Sequence, residues 1–274
     1  MHGGWKRDSQ AGTYTVPRGT HGKPEQVNLF TELKPEDTMA PSQSENPSIL
    51  IVGASRGLGR ALAEAFLAKG WNVTGTVRGD GHTPLHDLVG THDGRLAIER
   101  MDMTVAEDIA ALRARRANER FDILFVNAGT TNEHPDDTIA EVTTDEFTHV
   151  MVTNALSPMR VIEGLESLVN DDGLIGVMSS GQGSIANNER GGRELYRGSK
   201  AALNQFMRSY AARHAGSRRA LLLLAPGWIR TDLGGDDAPY TVEESIPLIL
   251  DVILKKRSRP GLEYLDRNGL TVPW

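Results

Sequence analysis

Ile49-Leu50-Ile51-Val52-Gly53-Ala54-Ser55-Arg56-Gly57-Leu58-Gly59-Arg60 is the stretch that decides the fold. Four apolar residues run straight into a glycine-rich turn, and a helix-period segment, Leu58 to Lys69, follows. A short apolar run without a polar face reads as a buried parallel strand. In such a turn the first glycine permits the tight bend. The second permits close backbone approach to a pyrophosphate, and the third lets helix and strand pack closely. The helix that opens here offers unpaired N–H groups and a positive dipole end to phosphate. A glycine triplet alone usually marks only a turn, so its weight comes from the strand before it and the helix after it.

Outward from this unit the same alternation repeats. Further buried strands are predicted at Val73 to Val77, Leu96 to Met101, Phe121 to Val126, Gly173 to Met178 and Ala220 to Ala225, with a short one near Leu262 to Leu265. Helical periodicity occupies Val105 to Asn118, Asp145 to Val169, Glu194 to His214 and Val242 to Lys255. Right-handed crossovers then give an α/β fold: one doubly wound Rossmann domain, a parallel sheet of about seven strands with helices on both faces. It is expected to span 48–274, substrate loops included. Residues 1–47 hold Pro17, Pro24, Pro35, Pro41 and Pro47, out of 13 prolines in the chain, and show no apolar period. They read as a disordered N-terminal extension, with Met39 as an alternative start.

Composition narrows the function. The 274 residues contain no cysteine, which excludes a disulfide scaffold, a thiolate metal site and a thiol nucleophile. The formal net charge of -6 argues against nucleic acid or an anionic membrane as partner. The longest apolar run, Ala220 to Ala225, is far short of a membrane span, and no signal-peptide pattern stands near Met1. A cytoplasmic location is expected. His82, His86 and His92 fall in a variable loop without an ordered ligand shell, so no metal is expected. The basic run Arg113 to Arg116 with Arg120 reads as a solvated helix face.

The G-x-x-x-G-x-G spacing of the turn resembles that of the short-chain dehydrogenase/reductase family. Further residues carry the resemblance in order through nearly all of 48–274. They are Asp102 after the third strand, Asn127-Ala128-Gly129 after the fourth, Asn154 in the long helix, and Ser180 after the fifth strand. Tyr196-Arg197-Gly198-Ser199-Lys200 and Pro226-Gly227 follow. Segments 179–184, 194–204 and 226–232 look like the C-factor-like or sniffer-like carbonyl reductase branch. The sequence also departs from the family pattern. Val52 and Val126 stand where the family often has Thr and Asn, which is expected to cost a local hydrogen bond each. Sixteen positions separate Ser180 from Tyr196, so the loop Gly181 to Arg193 is enlarged beside the site.

The resemblance implies a catalytic set of Asn154, Ser180, Tyr196 and Lys200. Tyr196 and Lys200 lie four apart and project from one helix face. A nearby ammonium, joined by an oxidised nicotinamide, is expected to pull the phenol below its usual ~10. Tyr196 then exchanges a proton with a carbonyl oxygen, and Ser180 hydrogen-bonds the same oxygen. Ser180 is preferred to Ser179 because it closes the strand. Asn154 is implied to hold a water that links Lys200 to solvent, and Lys200 to contact the nicotinamide ribose.

For the cofactor, the second strand ends Thr76-Val77-Arg78 without a carboxylate. Arg56 and Arg78 favour the 2′-phosphate of NADP(H), while Asp80 leaves NAD(H) open. Gly53, Ser55, Arg56, Gly57, Leu58 and Gly59 are assigned to the phosphates. Asp102 and Met103 are assigned to the adenine, and Asn127, Ala128 and Gly129 to the floor. Tyr196, Lys200, Pro226, Gly227 and Thr231 are assigned to the nicotinamide end. Trp228 is as suited to a pocket wall as to packing, and 234–239 could hinge a lid.

The expected activity is NADP(H)-dependent hydride transfer between nicotinamide and a small carbonyl or secondary alcohol, chiefly as carbonyl reduction. The alternatives are an NADP(H)-binding sensor with little turnover, and a nucleotide-sugar epimerase or dehydratase. The short segment after Thr231 argues against the latter. Family tendency points to a homodimer or homotetramer.

Overall fold

The computed structural model describes residues 46–274. The extension expected over 1–47 lies outside the described residues up to position 45. Pro47 already extends the β1–β2 pairing, because its carbonyl accepts the Asn72 N–H at 2.9 Å.

Seven strands form one sheet in the order β3-β2-β1-β4-β5-β6-β7, every pair parallel. They are β1 (Ser48–Val52), β2 (Asn72–Val77), β3 (Leu96–Arg100), β4 (Phe121–Val126), β5 (Val169–Met178), β6 (Ala220–Ala225) and β7 (Gly261–Asp266). The doubly wound sheet read from the alternation is therefore present. The order reverses between β1 and β4, so the crossovers diverge there and leave a crevice at the strand ends.

Helices cover both faces, which is why the strands lack polar faces. On one side α1 (Gly57–Ala68) and α6 (Val242–Lys256) pack Phe66, Leu67, Ile249 and Ile253 onto Ile49, Ile51, Phe125 and Leu222. On the other side lie α2 (Ala106–Arg115), α4 (Ser157–Leu165) and α5 (Glu194–Arg213). They bury Leu112, Ile162, Leu203 and Met207 against Leu50, Leu124, Val177 and Leu223. Alternate residues of one strand thus serve opposite layers, as the period of two requires. From the basic run, Arg115 and Arg116 turn to Glu99 at 2.8 Å each.

One element differs from the reading. The helix expected over Asp145 to Val169 is α3 (Thr144–Met151), a π-helical turn (Val152–Leu156), α4, and a 3-10 turn (Glu166–Leu168). Its last expected residue, Val169, already opens β5, four residues before the strand was expected. Val169 pairs with Phe121 across a register irregularity that the polar triplet Asn170-Asp171-Asp172 bridges. Periodicity is blind to such a bulge, because strand pairing creates it.

Phe125 is fully buried in β4, with its ring under the Gly176 backbone of β5. Phe125→Ala is expected to cost about 3–5 kcal/mol, since the surrounding backbone cannot collapse into the void. Urea denaturation checks this, with a lower midpoint and an unchanged slope.

Candidate active site

The crevice at the strand ends is a cleft of roughly 1160 Å³. At one end, β1 bends sharply at Gly53, where φ is +84°. A Cβ there would lie 2.6 Å from Ala128 Cβ, and one on Gly59 would lie 2.0 Å from the Gly53 carbonyl oxygen. Only hydrogen fits at either position. The turn is held by Asn127, whose side-chain amide donates to Gly53 O at 2.8 Å, and by Thr76, whose Oγ1 accepts the Gly53 N–H at 3.0 Å. The Ala54 N–H also donates to Thr76 O at 2.9 Å. Two backbone N–H groups of the turn are thus held from β2. Thr76 escaped the sequence reading, although a threonine in a strand buried throughout was its signal.

Ser55, Arg56, Gly57 and Leu58 line the cleft. Arg56 precedes α1 in extended conformation, without a side-chain cap, and no acid stands in the first turn. The α1 N-terminus thus presents unpaired N–H groups and its positive end to the cleft. Gly59 packs behind the turn and does not line it.

Arg78 and Asp102 mark the outer end. Burial works against the Asp102 charge, but the Thr104 hydroxyl and amide, with Arg78, outweigh it and hold the carboxyl below its usual range. The Thr104 bonds measure 2.7 and 2.8 Å. Asp80 is taken by Arg100 at 3.1 Å. Arg56 pairs with Asp232 across the cleft, and both side chains are largely exposed. An exposed pair of this kind is worth at most about 1 kcal/mol, so Arg56 is easily recruited elsewhere.

At the inner end, α5 carries Tyr196 and Lys200 on one face, while Ser180 lies two residues past the end of β5 and caps the 3-10 turn Gly181–Gly183. The Ser180 hydroxyl oxygen accepts the Gln182 N–H at 3.1 Å, and its side chain is near enough to the Tyr196 phenol to favour the phenolate. Ser179, its neighbour, is buried and donates to Asn204 Oδ1 at 2.6 Å. Lys200 is buried, donates to Met178 O at 3.0 Å, and lies 5.8 Å from the Tyr196 ring centre. Burial lowers its pKa to about 8. For Tyr196 the expected direction is reversed. Burial raises the phenol above its ordinary value, and the pull of Ser180 and the Arg193 charge does not cancel that. Lys200 does not offset that burial.

Asn154 sits in the π-helical turn, fully buried behind the cleft wall. Its side chain accepts the Thr130 N–H and donates to Thr130 O, both at 2.8 Å, and donates to Ser199 Oγ at 3.0 Å. Ser199 in turn donates to Tyr196 O at 2.8 Å. Asn154 thereby ties the loop after β4 to the first turn of α5. The π turn is what aims it inward, a common use of such irregularities.

The remaining nicotinamide-end assignments, Pro226, Gly227 and Thr231, line the cleft, as do Asp102, Met103 and the floor residues Asn127, Ala128 and Gly129. Trp228 also lines it, half-exposed, and its indole N–H donates to Gly234 O at 2.6 Å. Two further residues went unread. Tyr264 of β7 hydrogen-bonds the Ser180 carbonyl, and Arg193 lines the cleft just before α5. His86 Nδ1 accepts the Thr83 N–H at 3.0 Å, while His82 stacks 5.2 Å away. Among the described residues no helix is long and apolar enough to cross a membrane.

Thr76→Val keeps the shape of the β2 end and orphans the Gly53 N–H. The expected loss is about 1–3 kcal/mol of stability, read as a lower thermal midpoint.

A sequence model described as short chain dehydrogenase matches residues 47–239. A solved short-chain dehydrogenase/reductase of Burkholderia multivorans, crystallised with NADP, is 63% identical. It superposes with a TM-score of 0.83, over 84% of this chain and all of that one. The carbonyl reductase Sniffer of Drosophila melanogaster is 27% identical with a TM-score of 0.74, again over 84% of this chain and all of its own. The C-signal protein of Myxococcus xanthus is 32% identical over 155 residues, 56% of this chain and 92% of its own length.

Proposed function

The chain belongs to the short-chain dehydrogenase family, and from that premise we propose that it is an NADP(H)-dependent oxidoreductase acting chiefly as a reductase of small carbonyl compounds. The observation that carries this reading is the convergence of Ser180, Tyr196 and Lys200 on the cleft that the glycine turn also lines.

A dinucleotide with a 2′-phosphate fits the residues present. The turn leaves a backbone surface without Cβ atoms, since a Cβ on Gly57 would meet nothing closer than the Thr231 methyl at 4.0 Å. The uncapped α1 N-terminus suits the pyrophosphate. Arg78, with no carboxylate at the end of β2 and Asp80 engaged elsewhere, suits the extra phosphate, and Arg56 is within recruitment. Asp102 and Met103 would flank the adenine, and Thr231 would hold the carboxamide end. Bound there, the reduced nicotinamide supplies the hydride.

The chain's own residues supply the proton and the orientation. Tyr196 is neutral at pH 7 because burial keeps its pKa up, so it is the acid that a developing alkoxide requires. Ser180 receives the Gln182 amide on its oxygen, which leaves its O–H to donate to the substrate oxygen. Lys200 spends one N–H on Met178 O and keeps two for the cleft. Asn154 positions α5 by clamping Thr130 and Ser199. Residues 48–274 form the catalytic domain in this reading. An intact proton-transfer set is what disfavours a sensor with little turnover.

Tyr196→Phe is expected to lower kcat for NADPH-linked carbonyl reduction by about 10²–10⁴-fold with cofactor affinity retained. A variant with wild-type turnover would refute the assignment. The wild-type pH profile follows from Lys200, which is cationic below about 8 and neutral above it. Reduction should hold from pH 6 to 8 and fall above that, and Lys200→Arg should remove the fall.

A further inference from the structure

The inner end of the cleft carries an arrangement that hydride transfer does not require. Arg193 immediately precedes α5, one turn before Tyr196, and its side chain lines the cleft. Its backbone is left-handed, φ 52° and ψ 40°, a conformation that non-glycine residues seldom adopt. Among the described residues no carboxylate lies within ion-pair distance of its guanidinium.

The adjoining acid is turned away, since the Glu194 carboxylate accepts the Ile139 N–H at 2.8 Å. The two carboxylates that line the cleft are engaged elsewhere: Asp102 by Thr104, Asp232 by Arg56. His149, at the last turn of α3, joins Arg193 and Lys200 on the lining. A chain of net charge -6 therefore furnishes its reacting end with a cation that no carboxylate pairs. That cation is near enough for the Tyr196 phenol to feel it.

We propose that Arg193 is the substrate-selecting residue of this cleft, receiving an anionic group, carboxylate or phosphate, that the carbonyl substrate carries a few bonds from its carbonyl carbon. The inference rests on the reductase reading and adds the substrate class to it. A guanidinium presents a planar fork that matches either anion with two parallel hydrogen bonds. The left-handed turn sets the Arg193 backbone one helical turn before Tyr196, so an anion received there would anchor the substrate while the phenol meets its carbonyl oxygen.

The test measures NADPH-linked kcat/KM for two matched pairs: 4-oxopentanoate against its methyl ester, and hydroxyacetone phosphate against hydroxyacetone. The enzymes are wild type, Arg193→Asn and Arg193→Lys. Asparagine tolerates the left-handed backbone, so that variant removes the charge without forcing the turn to refold. The wild type should prefer the charged member of one pair, which identifies carboxylate or phosphate. Arg193→Asn should reduce that charged-over-neutral ratio by about 10–100-fold, mainly through KM, and Arg193→Lys should restore part of it. A wild-type ratio near one in both pairs, or a ratio that Arg193→Asn leaves unchanged, overturns the proposal while neutral turnover keeps the reductase reading. No NADPH-linked turnover of any of the four compounds overturns both.

Discussion

The contact between the Gly53 turn and the strand beside it has room for hydrogen atoms only, and the rest of the molecule is arranged around that constraint. β1 and β4 are neighbours in the sheet, but their crossovers leave in opposite directions. At their ends the Gly53 carbonyl lies against Gly59 on one side, and its Cα against Ala128 on the other. Asn127 and Thr76 saturate the polar groups this squeeze would otherwise strand. Because the turn is pulled so close to the sheet, the start of α1 faces a crevice rather than a neighbouring side chain. The cofactor cleft is the volume left over by that packing.

The opposite end of the cleft is built from longer-range ties. Ser180 is fixed from below by Tyr264 of β7, and the α5 turn that bears Tyr196 is fixed through Ser199 and Asn154 to Thr130. Four separate elements therefore set the position of one phenol. Precision of this kind matters because a proton donor must lie within hydrogen-bond reach of the oxygen it serves. The charges follow the same division. Arg56 and Arg78 attend the end suited to phosphate, and Lys200 and Arg193 the end where a carbonyl would react, in a chain whose overall charge is negative.

Much of this was legible in the sequence, for identifiable reasons. Strand and helix periods are local, so the seven strands and their order along the chain could be read directly. The glycine turn could be read because a strand precedes it and a helix follows it, whereas Asn127, Ser180, Tyr196 and Lys200 were assigned through the resemblance to the family. What could not be read depends on pairing between distant segments. Val169 looks helical until Phe121 claims it for β5. The π turn that aims Asn154 leaves no mark on apolar spacing. Thr76 accepts the Gly53 N–H from another strand, a contact that no local pattern reveals. The direction of the Tyr196 shift was misjudged because four-residue spacing fixes a shared face, not the degree of burial.

The central claim is that this cleft passes hydride from a reduced nicotinamide to a carbonyl carbon while Tyr196 supplies the proton. Label transfer measures that most directly. Wild-type enzyme is given NADPH deuterated at the reactive nicotinamide carbon, together with a carbonyl compound that it consumes, and the product alcohol is read by NMR. The account predicts one deuterium on the carbinol carbon of each product molecule, and none of that label in the solvent. Alcohol formed without deuterium at that carbon, or label that exchanges into water, would contradict it.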